Sequence, residues 1–394
     1  MPGSQRGGAL QGPVAVFSGG GTGGHLYPAL ALAEALRELV PDLRPVFVGA
    51  ERGLEARVLP ERGVEHILLP VQGLQRGRWV ANLGVLLGLI RSMGRVLAAF
   101  QRLRPRLVVV TGGYAGGPAG LAAILLGLRL VLQEQNAVPG LTTRVLGRWA
   151  REVHVAFPEA VDALPRRVQS RAVVSGNPVH PPETRDLQAE RARFGLPDTG
   201  PVALVVGGSQ GSRSLNEAMT EALTKVRRGE LDVPHGLSIL WATGPAHRET
   251  VEDALSEAGG EVPAWVRLMD YIHDMPGALA VADVAVSRAG AMATSEFLAW
   301  GVPAVLVPLP WAAADHQTRN AQALEEAGAA VHLPESRLDG SRLWGQLREL
   351  VETPDRLEAM GRAAERRGSP DASRTMARAL ARHLDPAGAG KGGA

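Results

Sequence analysis

Short apolar runs alternate along the chain with segments whose apolar residues recur at helical spacing. In the first part of the chain the pattern predicts strands at residues 14–17, 45–48, 66–69, 107–110, 130–132 and 153–156. The segments between them, such as 29–40 and 116–127, have the spacing of helices. Strands that alternate with helices favour a parallel sheet with helices packed on its faces.

The same alternation restarts after SGNPVHPPET (175–184), which is rich in proline and turn residues. The second set of predicted strands lies at 202–206, 238–241, 266–268, 284–286 and 304–307. Because 394 residues exceed the size at which one hydrophobic core stops growing, we expect an α/β chain of two Rossmann-like, doubly wound domains, at 13–177 and 185–370, that face each other across a cleft. Residues 371–384 predict a last helix packed back on the first domain, and the Gly/Ala-rich 385–394 predict a disordered tail.

A glycine-rich turn follows the first strand of each domain. The first is VFSGGGTGGHLYPA (16–29) and the second is VVGGSQGSRSLNEAM (205–219). Unpaired N–H groups at a helix start, together with the helix dipole, favour an anion there. The first run also matches the G-x-G-x-x-G dinucleotide pattern, so a nicotinamide or flavin site with Glu51 on the ribose stays open, as does a tight turn without a ligand. The second turn favours two anionic ligands over one dinucleotide.

Three polar segments lie where such ligands would react. His25 ends the first glycine run, where a neutral imidazole could take a proton from an incoming hydroxyl; the alternative is a histidine that only hydrogen-bonds the turn. In SRAGAMATSE (287–296) small residues begin another helix, and Glu296 could accept both hydroxyls of a ribose. DHQTRNA (315–321) offers amides suited to a sugar. The last two segments fit ordinary helix starts equally well.

Composition excludes several classes of function. The net charge is only +2, and no basic stripe with interleaved aromatic residues occurs, so no nucleic-acid partner is expected. The chain has no cysteine, which excludes disulfides, thiolate metal sites and a cysteine nucleophile. It has neither a D-x-D pattern nor two histidines at helical metal-binding spacing, so we expect no tightly bound metal and no other cofactor. We also expect neither a signal peptide nor a membrane-spanning helix.

One segment differs in kind from the others. RGRWVANLGVLLGLIRSMGRVLAAF (76–100) is apolar nearly all round along its middle, and arginines flank that stretch. Residues 76–95 therefore predict an element that lies at an anionic membrane surface. A buried core helix is the alternative, since doubly wound folds bury such helices routinely.

Eight motifs, in order, resemble the MurG family of peptidoglycan glycosyltransferases. They are GGGTGGHLYPALALAEAL, TGGYAGGPAGLAA, QEQNAVPGLTTRVL, SGNPV, VVGGSQGSRSLN, MDYIHDM, SRAGAMATSEFLAWGVPAVLVPLP and DHQTRNAQALEEAGAA. The likeness runs from about residue 13 to about residue 333. The resemblance implies the GT-B architecture, in which the second domain binds UDP-N-acetylglucosamine (UDP-GlcNAc) and the first binds a lipid-linked acceptor.

The same resemblance implies the reaction. N-acetylglucosamine is transferred, with inversion at the anomeric carbon, to the 4-hydroxyl of the muramyl sugar of undecaprenyl-pyrophosphoryl-MurNAc-pentapeptide (lipid I), giving lipid II. It further implies a peripheral location at the cytoplasmic face of the bacterial membrane, with cell-wall synthesis and division proteins as partners. Another GT-B UDP-sugar transferase, a UDP-sugar 2-epimerase, and a nucleotide-binding regulator without catalysis are the alternatives.

The resemblance also assigns roles to individual residues. His25 is the implied base. The implied donor-binding residues are Thr22, Gly23, Gly24, Asn136, Ser209, Ile272, Ala291, Met292, Ala293, Thr294, Ser295, Glu296 and Gln317. The implied acceptor-side residues are Gly21, Tyr114 and Glu134.

The chain departs from the family pattern at two positions. His180 follows GNPV where family members commonly carry arginine, so Arg185 or Arg213 would have to supply the positive charge near the diphosphate. Ala293 stands where a threonine is usual, with Thr294 next to it. We expect a modest effect on donor affinity and no loss of activity.

Overall fold

The computed structural model describes residues 12–71, 79–312 and 315–385, and for 79–87 only the course of the helix. It divides into two compact units. Among the described residues, unit 1 comprises those up to 135, 139–178 and those from 372 onward, and unit 2 comprises 136–138 and 179–371. Apart from Asp385, the predicted disordered tail lies outside the described residues.

Unit 1 is built on a parallel sheet, described here as seven strands in the order β3-β2-β1-β4-β5-β6-β7. The strands are β1 Val14–Gly20, β2 Arg44–Ala50, β3 His66–Leu69, β4 Leu107–Gly112, β5 Arg129–Glu134, β6 Glu152–Val155 and β7 Ala172–Val174. The helices are α1 Gly23–Leu39, α2 Glu55–Glu61, α3 Trp79–Leu103, α4 Gly113–Leu125, α5 Leu141–Leu146, α6 Glu159–Ala163, α7 Arg166–Gln169 and, from the end of the chain, α16 Ala372–Leu384.

Each face of this sheet buries its own apolar core. On one face α3, α4 and α5 pack over the strands, with Phe100 and Leu146 among the buried residues. On the other face lie α1 and α16, whose Leu36 and Leu380 are buried together. The described helix that ends the chain therefore completes unit 1, although unit 2 precedes it in sequence.

Unit 2 repeats the doubly wound plan. Its described strands form a parallel sheet in the order β10-β9-β8-β11-β12-β13. The strands are β8 Val202–Val206, β9 Ser238–Ala242, β10 Val266–Met269, β11 Val284–Ser287, β12 Ala304–Leu306 and β13 Ala330–His332. The helices are α8 Leu187–Arg193, α9 Arg213–Arg227, α10 Arg248–Glu257, α11 Met275–Val281, α12 Ala291–Ala299, α13 His316–Glu326, α14 Gly340–Val351 and α15 Pro354–Arg367. Trp241 and Trp344 are the largest side chains fully buried in its core.

The predicted fold class, two Rossmann-like domains with parallel sheets, is confirmed. Every predicted strand is present, and two short strands that were not predicted, β7 and β13, extend the sheets. The first helix was expected to begin near Pro28 but begins at Gly23. Its first three residues are Gly, Gly and His, so apolar periodicity could not reveal that turn. None of the described helices is long and apolar enough to cross a membrane.

Both sheets change winding direction next to their first strand. In unit 1 the chain continues from β1 to β2 on one side and returns as β4 on the other. In unit 2 the neighbours β8 and β11 stand in the same relation. Ligands of open α/β sheets bind beyond the carboxyl ends of the strands at such switch points. The two glycine turns follow β1 and β8, so the topology and the motifs indicate the same edge in each unit.

Candidate active site

Two helices begin side by side at the switch point of unit 1. The strand ends are joined by a bridge between Gly20 and Gly113, and α1 starts at Gly23 while α4 starts at Gly113. Thr22, the N-cap residue of α1, makes no side-chain capping hydrogen bond. First-turn N–H groups have no acceptor within their own helix, so Gly23 and Gly24 present donors at this edge. This is the geometry of an anion site.

His25 lies in the first turn of α1 with one ring nitrogen engaged. Its Nδ1 is 3.0 Å from the carbonyl oxygen of Thr111 and 3.0 Å from Oε1 of Gln135. Both oxygens are acceptors, so Nδ1 carries the proton and donates it. In the neutral ring Nε2 then has a lone pair, and no described residue hydrogen-bonds to it. The arrangement leaves Nε2 able to accept a proton.

The ring of His25 lies directly against Gly112. A Cβ atom at position 112 would stand 3.0 Å from Nδ1 and 3.1 Å from Cε1, and the φ of Gly112 is +103°. Both observations restrict the position to glycine. The first glycine of TGGY therefore makes room for the imidazole.

A buried carboxylate lies beneath the first glycine turn. Glu55, the first residue of α2, is fully buried, and its Oε1 accepts the N–H of Gly21. The N–H of Gly21 is therefore engaged within the protein. The ring of Tyr114 lies where a Cβ of Gly21 would point. Burial, and secondarily the charge of Glu55, raises the pKa of the Tyr114 phenol, so this tyrosine is a neutral hydrogen-bond donor or acceptor over the physiological range.

Glu134, predicted on the acceptor side, stabilises the start of α5. Its Oε2 accepts the N–H of Gly140 at 2.9 Å and the hydroxyl of Thr143 at 2.7 Å. Only 3% of the residue is exposed. In this conformation the side chain of Glu134 stabilises the start of α5. It would therefore affect an acceptor substrate only indirectly, by holding that helix in place.

At the switch point of unit 2 two further helices begin. The loop after β8 carries Ser209, which is exposed, and leads into α9, capped by Ser212. Helix α12 begins at Ala291 after Gly290, without a side-chain cap. The first-turn N–H groups of Met292 and Ala293 thus have no acceptor within the helix. This edge has the geometry that the sequence predicts for a second anion site.

Glu296 is a half-buried residue one turn inside α12. Burial raises the pKa of Glu296 to about 7. No opposing cation contributes to that shift. A carboxyl group with this pKa is half protonated near neutral pH. Ligand hydroxyls that donate hydrogen bonds to its ionised form would stabilise that form.

Thr294 and Arg288 have structural roles at the same edge. The hydroxyl of Thr294 donates back to the carbonyls of Gly290 and Ala291, at 3.0 and 3.1 Å, so in this conformation it does not replace the threonine absent at 293. Arg288 donates to the hydroxyl of Ser214 at 2.6 Å and to the carbonyls of 307 and 308 at 3.2 Å, and it pairs with Glu335. It thereby connects the turn before α12 to the start of α9.

The remaining predicted donor residues lie on loops of unit 2. Ile272 follows β10 with its side chain buried, and its main chain makes no hydrogen bond to another described main-chain group. Oε1 of Gln317 accepts the N–H of Leu309 at 2.9 Å. Asn136 belongs to a short segment that joins unit 2, where Asn320 donates to its Oδ1 at 3.3 Å and accepts the N–H of Ala137 at 2.9 Å. The sequence had placed this segment in the first domain.

Of the two arginines considered as substitutes at the diphosphate, one is engaged elsewhere. Arg185 pairs with Glu190 at 2.8 Å and Asp274 at 2.9 Å, and these carboxylates raise its pKa. Its charge is thus already balanced. Arg213, the first residue of α9, is highly exposed and lies 3.7 Å from Glu217, and His180 is exposed.

Several residues that hold the switch-point edges of the two sheets together were not predicted from the sequence. Thr111, Gln135 and Asn320 each lie beside or inside a quoted motif, and Arg288 is the second residue of SRAGAMATSE. Their polar side chains within otherwise apolar or glycine-rich motifs could have marked them as candidate site residues. Glu55 lies in no motif, and nothing in the sequence marked it.

Family models match both units. The model of the glycosyltransferase family 28 N-terminal domain matches residues 15–155, and that of the family 28 C-terminal domain matches 202–376. Together they cover most of the chain.

The chain belongs to glycosyltransferase family 28.

Curated relatives in family 28 match nearly the whole chain. One from Salinibacter ruber is 45% identical over 371 residues, covering 93% of this chain and 95% of the relative. One from Desulforudis audaxviator is 40% identical over 361 residues, covering 91% and 95%. Both are named UDP-N-acetylglucosamine–N-acetylmuramyl-(pentapeptide) pyrophosphoryl-undecaprenol N-acetylglucosamine transferase. The resemblance to the MurG family is confirmed.

Solved structures agree with the family 28 fold. The crystal structure of Acinetobacter baumannii MurG is 30% identical, has a TM-score of 0.73 and is covered over 99% of its length by 94% of this chain. A UDP-GlcNAc 2-epimerase from Neisseria meningitidis bound to UDP-GlcNAc has a TM-score of 0.61, is 14% identical, and is covered over 99% of its length by 94% of this chain. At that identity the epimerase shares the fold alone. Glu51, the ribose ligand of the dinucleotide alternative, pairs with Arg95 at 2.7 Å at the protein surface.

Proposed function

We propose that this family 28 member transfers N-acetylglucosamine from UDP-GlcNAc to the 4-hydroxyl of the muramyl sugar of lipid I, with inversion, and so forms lipid II in peptidoglycan synthesis. The observation that carries the proposal is the 45% identity, over 93% of the chain, to a relative named for that transfer. The two anion-type edges, one in each unit, support it because both substrates carry a diphosphate.

Unit 2 is the proposed donor site. The first-turn N–H groups at Ala291–Ala293 and the exposed loop at Ser209 would hold the diphosphate of UDP. Glu296 would accept the ribose hydroxyls, the main chain at Ile272 would contact the uracil, and Gln317 with Asn136 would contact the sugar. Fixed N–H donors would stabilise the charge that develops on the departing UDP, and removing one such donor typically slows turnover by about 100- to 1,000-fold.

Unit 1 is the proposed acceptor site, with His25 as the base. Nε2 of His25 would take the proton of the acceptor hydroxyl as that oxygen attacks the anomeric carbon, and UDP would leave with the bonding electron pair. The N–H groups of Gly23 and Gly24, beside Thr22, would border the diphosphate region. Tyr114 offers a neutral hydroxyl beside the same turn. A positioned general base contributes about 100- to 10,000-fold to a rate.

The test is a transfer assay with His25→Gln. Purified protein is incubated with labelled UDP-GlcNAc and a polyprenyl-pyrophosphoryl muramyl-peptide, and label in the lipid is measured. We expect transfer by the unchanged chain and a loss of at least about 100-fold in kcat for His25→Gln, with UDP affinity kept within about twofold. Unchanged kcat would remove the base assignment, and no transfer by the unchanged chain would favour a regulator.

The proposal includes association with the cytoplasmic face of an anionic membrane through unit 1. Much of the predicted element at 76–95 lies outside the described residues or has no described side chains. Support comes from neighbouring exposed side chains: Ile90 is 61% exposed, Leu125 63% and Leu141 70%. These lie on α3, α4 and α5, which pack on one face of the sheet. A membrane-binding surface on this face would require these side chains to form one contiguous apolar patch. Cell-wall synthesis and division proteins are the proposed partners.

Co-sedimentation with anionic liposomes tests the membrane proposal. Leu125→Glu combined with Leu141→Glu should reduce the bound fraction severalfold, because both exposed residues would place a charge at the lipid surface. The matched control is Leu187→Glu, since Leu187 is 53% exposed on α8 of unit 2. Equal binding by the double variant and the control would overturn the proposal for this face.

A further inference from the structure

Three buried side-chain amides connect His25 to the far edge of the unit 1 sheet. Gln133 and Gln135 are each 1% exposed and Asn177 is 2% exposed. Gln133 is the penultimate residue of β5, Gln135 is the first residue after β5, and Asn177 lies just after β7. Buried amides are costly unless their donors and acceptors are satisfied. Their hydrogen bonds therefore restrict which way each amide can face.

The orientation of Gln135 is fixed by two acceptors. Its Nε2 donates to the carbonyl of Thr111 at 2.7 Å and to Oε1 of Gln133. A flipped amide would place Oε1 against both of those oxygens. The observed orientation turns Oε1 toward His25, 3.0 Å from Nδ1. A flipped amide would instead present N–H to Nδ1 and would require the opposite tautomer of the imidazole.

The orientation of Gln133 is fixed in turn by Asn177. Nε2 of Gln133 donates to Oδ1 of Asn177 at 2.9 Å, which leaves Oε1 of Gln133 to accept from Gln135. Nδ2 of Asn177 donates to the main-chain carbonyl of Gln135 at 3.1 Å. A main-chain carbonyl can only accept, so each bond of the series has one permitted direction.

We propose that Gln135, held by Gln133 and Asn177, is a positioning residue that acts together with the carbonyl of Thr111 to set the Nδ1–H tautomer of His25 and to keep Nε2 as its proton acceptor. This inference rests on the proposed role of His25 as base. In this proposal none of the three amides contacts a substrate. They act by fixing which ring nitrogen holds the proton, as second partners of a catalytic histidine do.

The first measurement is the ¹⁵N NMR spectrum of protein labelled in its histidine rings, with the His25 signals identified by their loss in His25→Gln. The unchanged chain should show His25 protonated at Nδ1. Gln135→Leu should raise the share of the Nε2–H tautomer of His25, because Nδ1 then keeps only the carbonyl of Thr111 as an acceptor. Gln133→Leu should do so in part. An unaltered Nδ1–H signal in Gln135→Leu would overturn the inference, whether or not His25 is the base.

The second measurement is turnover. Gln135→Leu should lower kcat about tenfold or more, with UDP affinity and the KM for UDP-GlcNAc within about twofold. The control is Gln169→Leu, since that amide donates to the carbonyl of Leu164 instead, and its tautomer signal and kcat should not change. Should Gln135→Leu fail to fold, Asn177→Asp tests the same series by replacing the donor to the Gln135 carbonyl with an acceptor. A tautomer shift without loss of kcat would show that the amides position a histidine that is not the base.

Discussion

At the scale of single residues, the two edges differ in how they control protons. His25 is held by hydrogen bonds from one ring nitrogen, and its chemistry follows from the tautomer. Glu296 is controlled by withdrawal from water, which raises its pKa to about 7. Proton binding at Glu296 therefore changes within the physiological range, and ligand binding in unit 2 should follow it.

UDP affinity should fall as the pH is lowered. Ribose hydroxyls donate to an ionised carboxylate, so the ionised form of Glu296 is the binding form. With a pKa of about 7 in the free protein, lowering the pH from 8 to 6 should weaken UDP binding about tenfold. Glu296→Gln should bind UDP more weakly at pH 8 and lose this component of the pH dependence. Calorimetric titration of both proteins at both pH values measures it, and the titration of UDP itself cancels between them. Parallel pH profiles for the two proteins would contradict the prediction.

The raised pKa of Glu296 also makes the stability of the folded protein depend on pH. The direction of the pKa shift determines the sign of that dependence. The folded pKa of Glu296 lies above its usual value of 4.5. Between about 4.5 and 7 the folded protein holds a proton that the unfolded chain releases. The contribution of Glu296 to the free energy of unfolding therefore falls as the pH rises through that range.

The sequence indicates individual candidate residues where a motif has a fixed chemical purpose. His25 and Glu296 became candidates because they follow glycine or small-residue turns at helix starts, and the structure places His25 in the first turn of α1 and Glu296 one turn inside α12, both at switch points. The partners of His25 were not identified, because Thr111 and Gln135 come from β4 and a loop that only the folded sheet brings to α1. Arg185 was considered as a diphosphate ligand, and in this conformation its guanidinium pairs with Glu190 and Asp274.

At the scale of elements, glycine and proline positions determine where the site helices begin. In both α1 and α4 a glycine is the first residue and a proline the sixth. Apolar periodicity misses such first turns, which is why the predicted starts were several residues late. The short strands β7 and β13 were missed for a similar reason, since three residues at a sheet edge carry too little pattern.

Helix α16 is an element whose loss should affect unit 1. Leu380 is 1% exposed and packs in the same core as α1. Leu380→Ala should lower the free energy of unfolding by about 2–5 kcal/mol, the usual cost of a buried leucine truncation. Arg378→Ala on the exposed side of the same helix is the control and should change stability by less than about 0.5 kcal/mol. Chemical denaturation followed by circular dichroism measures both. A similar small effect in both variants would mean that α16 adds little to unit 1.

At the scale of the whole molecule, the chain consists of two units with separate cores. Length and the repeated strand–helix pattern predicted this division. The exact membership was not predictable, because residues 136–138 join unit 2 through hydrogen bonds to Asn320 that no local pattern encodes.

The division predicts a selective response to ligand. Five of the seven tryptophans belong to unit 2, namely Trp241, Trp265, Trp300, Trp311 and Trp344. UDP at 100 times its Kd should stabilise the unit that binds it by about 2.7 kcal/mol. The midpoint of thermal unfolding should therefore rise in tryptophan fluorescence, and His25→Gln should show the same rise. If the substitution in unit 1 abolished the rise, UDP binding could not be assigned to unit 2 alone.

The return of α16 to unit 1 has a consequence for biosynthesis. Unit 2 is inserted between two pieces of unit 1, and α16 follows it in the chain. A ribosome therefore releases the strands of unit 1 long before the helix that shields one of their faces. Until residues 372–384 emerge, the apolar side chains that later meet Met376 and Leu380 are exposed to water in the nascent polypeptide. Such surface is prone to aggregate, so we expect chaperones to bind the nascent chain until residues 372–384 have been translated.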